Sequence, residues 1–484
     1  MNQTKLNNDD MFLKIFRNII LRKEIFNQMK LLNKHEHYHF KSLKELKENK
    51  FKEYISNISF YNGFNDDNFN EETILICDNN YCYNDIIIKF INFGNSFNQL
   101  FHLTNFSCIL IIEFGDSFNQ KLSNKDMLPK SLTSLTLGNK FNQELIPFKS
   151  LPIGLKYLKL GNSFNQGIEI GSLPNELEIL ILGDSFKSII NPKSIPSKLK
   201  ELEFGLQWNH SLYYQELYSL IYLEKLKFKC FNQPIYDEKL KKSFLPPNLK
   251  ELRFILNFNK TISNGLPKSL RVLELGQHFS KQIYCNVLPY SLESLDLGKS
   301  YYFSIGENVL PNSLLSIKFS PCSLQDVVFT KNIKSISIGY YFKSLHSVGP
   351  YVESLEIDKI IPGIPNTIRN LKFSSNFNNL NDSITIIPSS IKSLDTGITF
   401  NQPLKHGLLS NSITSLTFGD SFNQPIEKGS ISTSNVKHLK FGTSFLYPLD
   451  GNYLPCKLET LTLSKKYPKN YLKNISKSIK IFFI

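Results

Sequence analysis

The sequence predicts a mainly β solenoid, in which coils of roughly 22 residues stack their strands into a parallel sheet behind a short N-terminal α-helical cap. Three observations predict it. A Leu-x-x-Leu-x-Leu block recurs through most of the 484 residues, a glycine commonly follows the block, and a Phe-Asn-Gln triplet commonly follows the glycine.

The frame is plain in Leu132-x-x-Leu135-x-Leu137-Gly138, followed by Phe141-Asn142-Gln143. It returns in Leu155-x-x-Leu158-x-Leu160-Gly161 with Phe164-Asn165-Gln166, and in Leu177-x-x-Leu180-x-Leu182-Gly183. Later it reads Ile413-x-x-Leu416-x-Phe418-Gly419 with Phe422-Asn423-Gln424-Pro425. Taking the last apolar residue of each block as an anchor, anchors fall at 93, 114, 137, 160, 182, 204, 228, 254, 275, 297, 319, 338, 357, 373, 396, 418, 441, 463 and 481, which makes 19 coils. A partial copy precedes them at Ile55-x-x-Ile58-x-Phe60, with Phe64-Asn65 in the expected place.

Each part of the coil has a physical task. The apolar residues at anchor−5, anchor−2 and the anchor point inward, and the alternation of the last two is that of a short strand with one buried face. The glycine is expected to let the backbone turn at positive φ. The phenylalanine supplies an apolar plug, so stacked coils predict a spine of rings. The asparagine beside it can satisfy backbone groups at the corner. Proline at anchor−8, as in Pro129, Pro152, Pro174, Pro267, Pro289, Pro311 and Pro455, suits a bend entering the strand. One such coil cannot bury its apolar face alone, so stability comes from stacking. The return arm is too short for a good helix plus two turns and is expected to be extended or irregular.

The strand block resembles that of leucine-rich repeats, and the appended Gly-x-x-Phe-Asn-Gln-Pro resembles the FNIP repeat family. The nearest copies are Phe231-Asn232-Gln233-Pro234, Phe400-Asn401-Gln402-Pro403 and Phe422-Asn423-Gln424-Pro425. The resemblance covers residues 86–484. It implies a leucine-rich-like solenoid with a protein-interaction role and carries over no catalytic site. Some FNIP proteins resemble F-box adaptors at the N-terminus; no clear F-box pattern stands there in this chain.

Residues 1–54 are expected to form a helical cap and linker. A helix over 11–33 is capped by Asp9 or Asp10 and carries Phe12, Ile15, Phe16, Ile19, Phe26 and Met29 on one side. Residues 34–54, rich in Lys and Glu, read as a solvated helix or linker. Residues 55–85 hold the partial repeat and an acidic, Asn-rich insertion, expected to be a loop with one strand at 73–77. Residues 86–484 are the repeat solenoid.

The regular spacing breaks in two places. The steps 204 to 228 and 228 to 254 are long, and the first contains Trp208, Tyr213, Tyr214, Tyr218 and Tyr222. Residues 211–223 have room for a short helix. These five rings either fill the wider coil or form a partner-binding cluster, since Trp and Tyr are enriched at interface hot spots. Steps from 319 to 373 shrink to 19, 19 and 16 residues and lose the Phe-Asn-Gln triplet, which predicts a pinch or bend. It marks either decay of the repeat or a second candidate partner site.

Composition narrows the function. The formal charge is +14, from 56 basic and 42 acidic residues. Exposed strand positions nevertheless mix signs, as in Glu201/Glu203 beside Lys225/Lys227, whereas tracking phosphates would need a basic stripe. A protein partner is therefore expected, and nucleic acid is not. The last coils end in Lys465, Lys466, Lys469, Lys473, Lys477 and Lys480, which reads as a basic end cap. The seven cysteines are odd in number and include no CxxC pair. No apolar run reaches the ~18 residues of a membrane span, and the N-terminus carries no secretory pattern, so a cytoplasmic protein is expected.

Little catalytic chemistry is visible. His35-Glu36-His37-Tyr38-His39 matches HExxH formally and would place His35 and His39 on one helical face, but it lacks a third ligand and a surrounding domain. Gly298-Lys299-Ser300 imitates a P-loop tail, with Glu293 where the motif requires glycine. Neither an enzyme nor a cofactor or metal site is expected. The leading reading is a protein-interaction scaffold. The other is a substrate-receptor subunit of a larger enzyme complex, docked through the N-terminal helix.

Overall fold

Alternating apolar side chains at anchor−2 and anchor make short strands wherever the block occurs. The structure, a computed structural model, describes residues 37–40, 57–60 and 89–484, the last apart from 102, 104–107, 124–126, 213–216, 320–326, 340–347, 349–350, 359–362, 376, 379–386, 405–408 and 432–433. Two compact units divide the chain, residues 1–230 and 231–484.

In the first unit the described strands are His37–Phe40, Asn57–Phe60, Phe90–Phe93, Ile111–Phe114, Ser134–Thr136, Tyr157–Lys159, Ile179–Ile181, Glu201–Phe204 and Lys225–Phe228. Each pairs in parallel with the next. The second unit runs from Glu251–Phe254 through Val272–Glu274, Ser294–Asp296, Ser316–Phe319, Ser335–Ile338, Ser354–Ile357, Asn370–Phe373, Ser393–Asp395, Ser415–Thr417, His438–Lys440 and Thr460–Leu463 to Lys480–Phe483, again all parallel. Equivalent repeat positions face one another, as Leu135 faces Leu158 and Leu158 faces Leu180. Register survives even the 16-residue step, where Ile357 faces Phe373. Among the described residues helix is confined to short turns such as the 3-10 segments Pro192–Ser194, Gly451–Tyr453 and Lys469–Tyr471.

The core is the repeat itself. Leu132, Leu135 and Leu137, and their counterparts Leu155, Leu158 and Leu160, are buried. The proline carbonyl at anchor−8 accepts from the N–H at anchor−5, as in Leu132 to Pro129 (3.2 Å) and Leu155 to Pro152 (3.2 Å), which closes a tight turn before each strand. The predicted spine is present at anchor+4. Phe97, Phe118, Phe141, Phe164 and Phe186 stack coil on coil at 6.1, 6.0, 6.2 and 6.1 Å. The second unit has two such runs, Phe258 to Tyr301 and Phe377 to Tyr467. Burial pushes the Tyr467 phenol up to about 12, and its O–H donates to the Tyr447 carbonyl at 2.8 Å.

Asparagine at anchor+5 does more than finish its own corner. The Asn98 side-chain oxygen accepts from the backbone N–H of Asn119 (2.8 Å), Asn119 accepts from Asn142 (2.8 Å), Asn142 from Asn165 (2.9 Å) and Asn165 from Lys187 (3.0 Å). The second unit repeats the ladder from Asn378 through Asn401 and Asn423 to Leu446. Glutamine beside it reaches back in the same way, Gln120 donating to the Asn98 carbonyl at 2.8 Å. These bonds satisfy backbone donors of one coil with side-chain acceptors of the coil before it.

Three sequence expectations change. The glycine after the anchor takes positive φ at Gly276, Gly298 and Gly397 only, among the positions that follow an anchor. At Gly115, Gly138, Gly161, Gly183 and Gly205 the requirement is space, because a Cβ would overlap the carbonyl of the glycine one coil earlier. The last anchor is Phe483 rather than Ile481, since Leu463 faces Phe483. Within 34–54, His37–Phe40 is a strand rather than solvated helix or linker. Together with the pairing of Asn57–Phe60 to Phe90–Phe93, it adds two rungs before the first anchor. The helix expected at 11–33 and the strand expected at 73–77 lie outside the described residues, as does part of 211–223.

One coil carries a defect. Thr396 stands at an anchor that other coils fill with Leu, Ile or Phe; it is fully buried, and its hydroxyl has no partner. A buried unpaired hydroxyl costs about 1–3 kcal/mol. Thr396→Val is therefore expected to raise stability by about 1 kcal/mol or more, read as a higher urea midpoint at unchanged slope. A lower midpoint would show the hydroxyl to be bonded.

Candidate interaction surface

Inward alternation leaves anchor−3 and anchor−1 facing solvent, and the anchor−4 residue beside them at the strand entrance. In the first unit Tyr157, Ile179 and Ile181 are half-buried on this face. The charges around them are paired between coils. Glu178 lies between Lys156 (3.4 Å) and Lys200 (2.6 Å), and hydrogen bonding from Lys200 leads the causes that hold its carboxyl below the usual range. Lys225 meets Glu201 at 3.6 Å, Lys227 meets Glu203 at 3.1 Å, and Lys229 reaches Asp184 at 2.7 Å. Burial leads the causes that raise the Tyr157 phenol, with Glu201, Glu113 and Glu203 adding to it.

The second unit is laced in the same way. Arg253 bridges Glu251 (2.5 Å) and Glu274 (3.2 Å), Lys318 meets Asp296 at 2.9 Å, and Lys372 meets Glu356 at 3.3 Å. Burial, with Asp296 next, raises the Glu274 carboxyl against the pull of Arg253. Each exposed pair contributes about 0–1 kcal/mol. Their larger effect is to hold side chains of both signs in fixed positions, the condition for charge-complementary recognition.

The aromatic candidates separate. Trp208 sits at anchor+4 and is a spine ring: it is buried, stacks on Phe204 at 3.9 Å and on Phe228 at 5.8 Å, and its indole N–H donates to the Ser188 carbonyl at 3.3 Å. Tyr218 and Tyr222 are about half exposed, with Ile221 between them also exposed. Tyr213 and Tyr214 lie outside the described residues. The plug position identifies Trp208 from sequence, because Phe186 occupies the same place one coil earlier.

Sequence reasoning located the short coils but not their residues. There the structure opens a groove of about 610 Å³ beside the strand entrances, bordered by Lys331, Lys334, Tyr351, Glu353 and Arg369. The charged column at anchor−4 was the available signal.

Motifs with catalytic overtones resolve into architecture. His39 lies in a strand, so a helical HExxH face does not form; His35 and Glu36 lie outside the described residues. Gly298 belongs to the glycine column, where a Cβ would overlap the Gly276 carbonyl. Among the described residues no three His, Cys, Asp or Glu side chains converge to hold a metal ion, and no helix is long and apolar enough to cross a membrane.

The repeat has known counterparts. The FNIP Repeat family model matches residues 107–140, 141–183, 164–207, 258–300, 279–322, 400–431 and 433–466. An FNIP repeat-containing protein of Dictyostelium discoideum is 36% identical over 105 residues, 20% of this chain and 19% of that protein, so the chain matches about a fifth of that relative's length. Among solved structures, CroV588, described as a circular leucine-rich repeat protein, aligns over 89% of this chain and 73% of its own at 28% identity and a TM-score of 0.52. YopM of Yersinia enterocolitica aligns over 89% and 83% at 14% identity and a TM-score of 0.30.

Proposed function

Because the chain belongs to the FNIP repeat family and folds as a leucine-rich-like solenoid, we propose that it is a cytoplasmic protein-interaction scaffold that binds a partner protein and performs no chemistry of its own. The observation that carries this reading is the solvent-facing sheet, on which charges of both signs are fixed by bonds between coils. In the first unit the contact surface combines Lys225 and Lys227 with the exposed rings of Tyr218 and Tyr222, while Trp208 steadies that coil from inside. We assign recognition to residues 86–484 and treat 1–54 and 55–85 as its N-terminal flank.

The test is retention of partners by the full chain, identified by mass spectrometry, and by two surface variants. Lys225→Glu with Lys227→Glu reverses two charges, and Tyr218→Ala with Tyr222→Ala removes two rings. About tenfold weaker retention of one partner by either variant is expected, with circular dichroism unchanged. Equal retention by both variants and by the unmodified chain would overturn the assigned surface.

A further inference from the structure

We propose that the groove at the short coils of the second unit binds an anionic peptide segment, one whose side chains carry phosphate or carboxylate groups. This deepens the scaffold reading and rests on it. The site belongs to the three coils anchored at Ile338, Ile357 and Phe373, where the repeat is shortest.

Elsewhere at anchor−4, opposite charges on neighbouring coils join. Arg271 meets Glu293 at 3.4 Å and Lys437 meets Glu459 at 2.7 Å. In the groove the same column reads Lys334, Glu353 and Arg369, with their backbones hydrogen-bonded in order at 2.9 and 2.8 Å. Among the described residues neither cation forms an ion pair with Glu353, nor does Lys331 at the groove's rim. Arg369 instead donates through Nη1 to carbonyls of its own turn, Asn366 at 2.7 Å and Ile368 at 3.5 Å. Three cations against one carboxylate leave the groove with a positive excess.

A second observation comes from the neighbouring column. At anchor−6, Ser269, Ser291 and Ser313 donate to the carbonyl one coil back at 2.8, 2.7 and 2.7 Å. Tyr351 and Thr367 interrupt this series. The Tyr351 ring stands exposed as a wall, and the Thr367 hydroxyl, shielded from solvent, has no partner. A planar guanidinium and two ammonium groups around one opening match the acceptor oxygens of phosphate or carboxylate. A volume of about 610 Å³ accommodates several residues of an extended chain, not one small ion. Glu353 between the cations argues against a nucleic-acid backbone, whose phosphates recur without a gap for a carboxylate.

The test is fluorescence anisotropy of the full chain with three probes: a short oligo-glutamate peptide, a degenerate peptide pool around a central phosphoserine, and a single-stranded RNA of equal charge. Binding of at least one peptide probe is expected. It should weaken about tenfold in Lys334→Ala with Arg369→Ala and fall again between about 0.1 and 1 M salt. Glu353→Gln, which keeps shape and removes the repelling charge, should tighten it about threefold. Preference between the two peptides tells phosphate from carboxylate. Tighter binding of RNA, binding of neither peptide, or peptide affinity indifferent to all three substitutions overturns the proposal. Lys225→Glu with Lys227→Glu should leave peptide affinity unchanged, so loss of the sheet-face partner and loss of groove binding are read separately.

Discussion

Gly161→Ala is expected to destabilise the first unit by about 3 kcal/mol, although it adds one methyl group. The methyl would overlap the Gly138 carbonyl, and neither backbone can retreat. Leu160 is bonded forward to Ile181 at 2.9 Å, and Phe164 is tied back to the Gly161 carbonyl at 3.0 Å. Gly154 is the control, because its nearest neighbour to an added Cβ is the Lys130 carbonyl at 3.8 Å. Gly154→Ala is expected to be neutral or to stabilise by up to about 1 kcal/mol. Urea unfolding, with hydrogen exchange across residues 132–186, measures both. Equal penalties at the two positions would show that backbone freedom, not close approach, sets the requirement.

Phe164→Ala is expected to cost about 3–5 kcal/mol, the range for emptying a large aromatic site in a core. Phe164 is fully buried, and its ring is held between Phe141 at 6.2 Å and Phe186 at 6.1 Å. Its removal takes one stacking neighbour from each of two rings and leaves a cavity. Exchange protection should therefore fall in both adjoining coils, since coupling in a repeat stack runs between nearest neighbours. Phe148→Ala is the contrast: that ring is 72% exposed, and the change is expected to stay within about 0.5 kcal/mol. Protection lost only in the coil of Phe164 would argue that the spine does not couple its members.

The strands, the inward leucines and the ring spine were legible because each depends on a period a single sequence displays. What was missed depends on contacts between coils. Glycine is visible as a requirement, but the sequence does not say whether torsion or a neighbouring carbonyl imposes it. The asparagine looked like a local corner residue, yet its acceptor serves an N–H 21 to 23 residues away. The final anchor slipped by two because Ile481 and Phe483 fit the alternation equally, and only pairing with Leu461 and Leu463 decides. Trp208 was legible in principle from its plug position. The groove was not, since Lys334, Glu353 and Arg369 become one site only when three coils of unequal length are set side by side.

The asparagine ladder bears on how such a chain can change its length in evolution. Every rung offers the same acceptor forward and the same donor backward, so any two rungs are interchangeable partners. Excising the stretch between Asn119 and Asn142 would bring Asn98 against Asn142 with the bond chemistry intact. Genetic gain or loss of whole copies is thus tolerated, and the rung also absorbs copies of unequal length, since it spans 21 residues from Asn98 to Asn119 and 27 from Asn232 to Asn259. Copy number can drift while the joints stay the same, and the short coils between Phe319 and Phe373, with steps of 19, 19 and 16 residues in unbroken strand register, are where drift within a copy has been accepted.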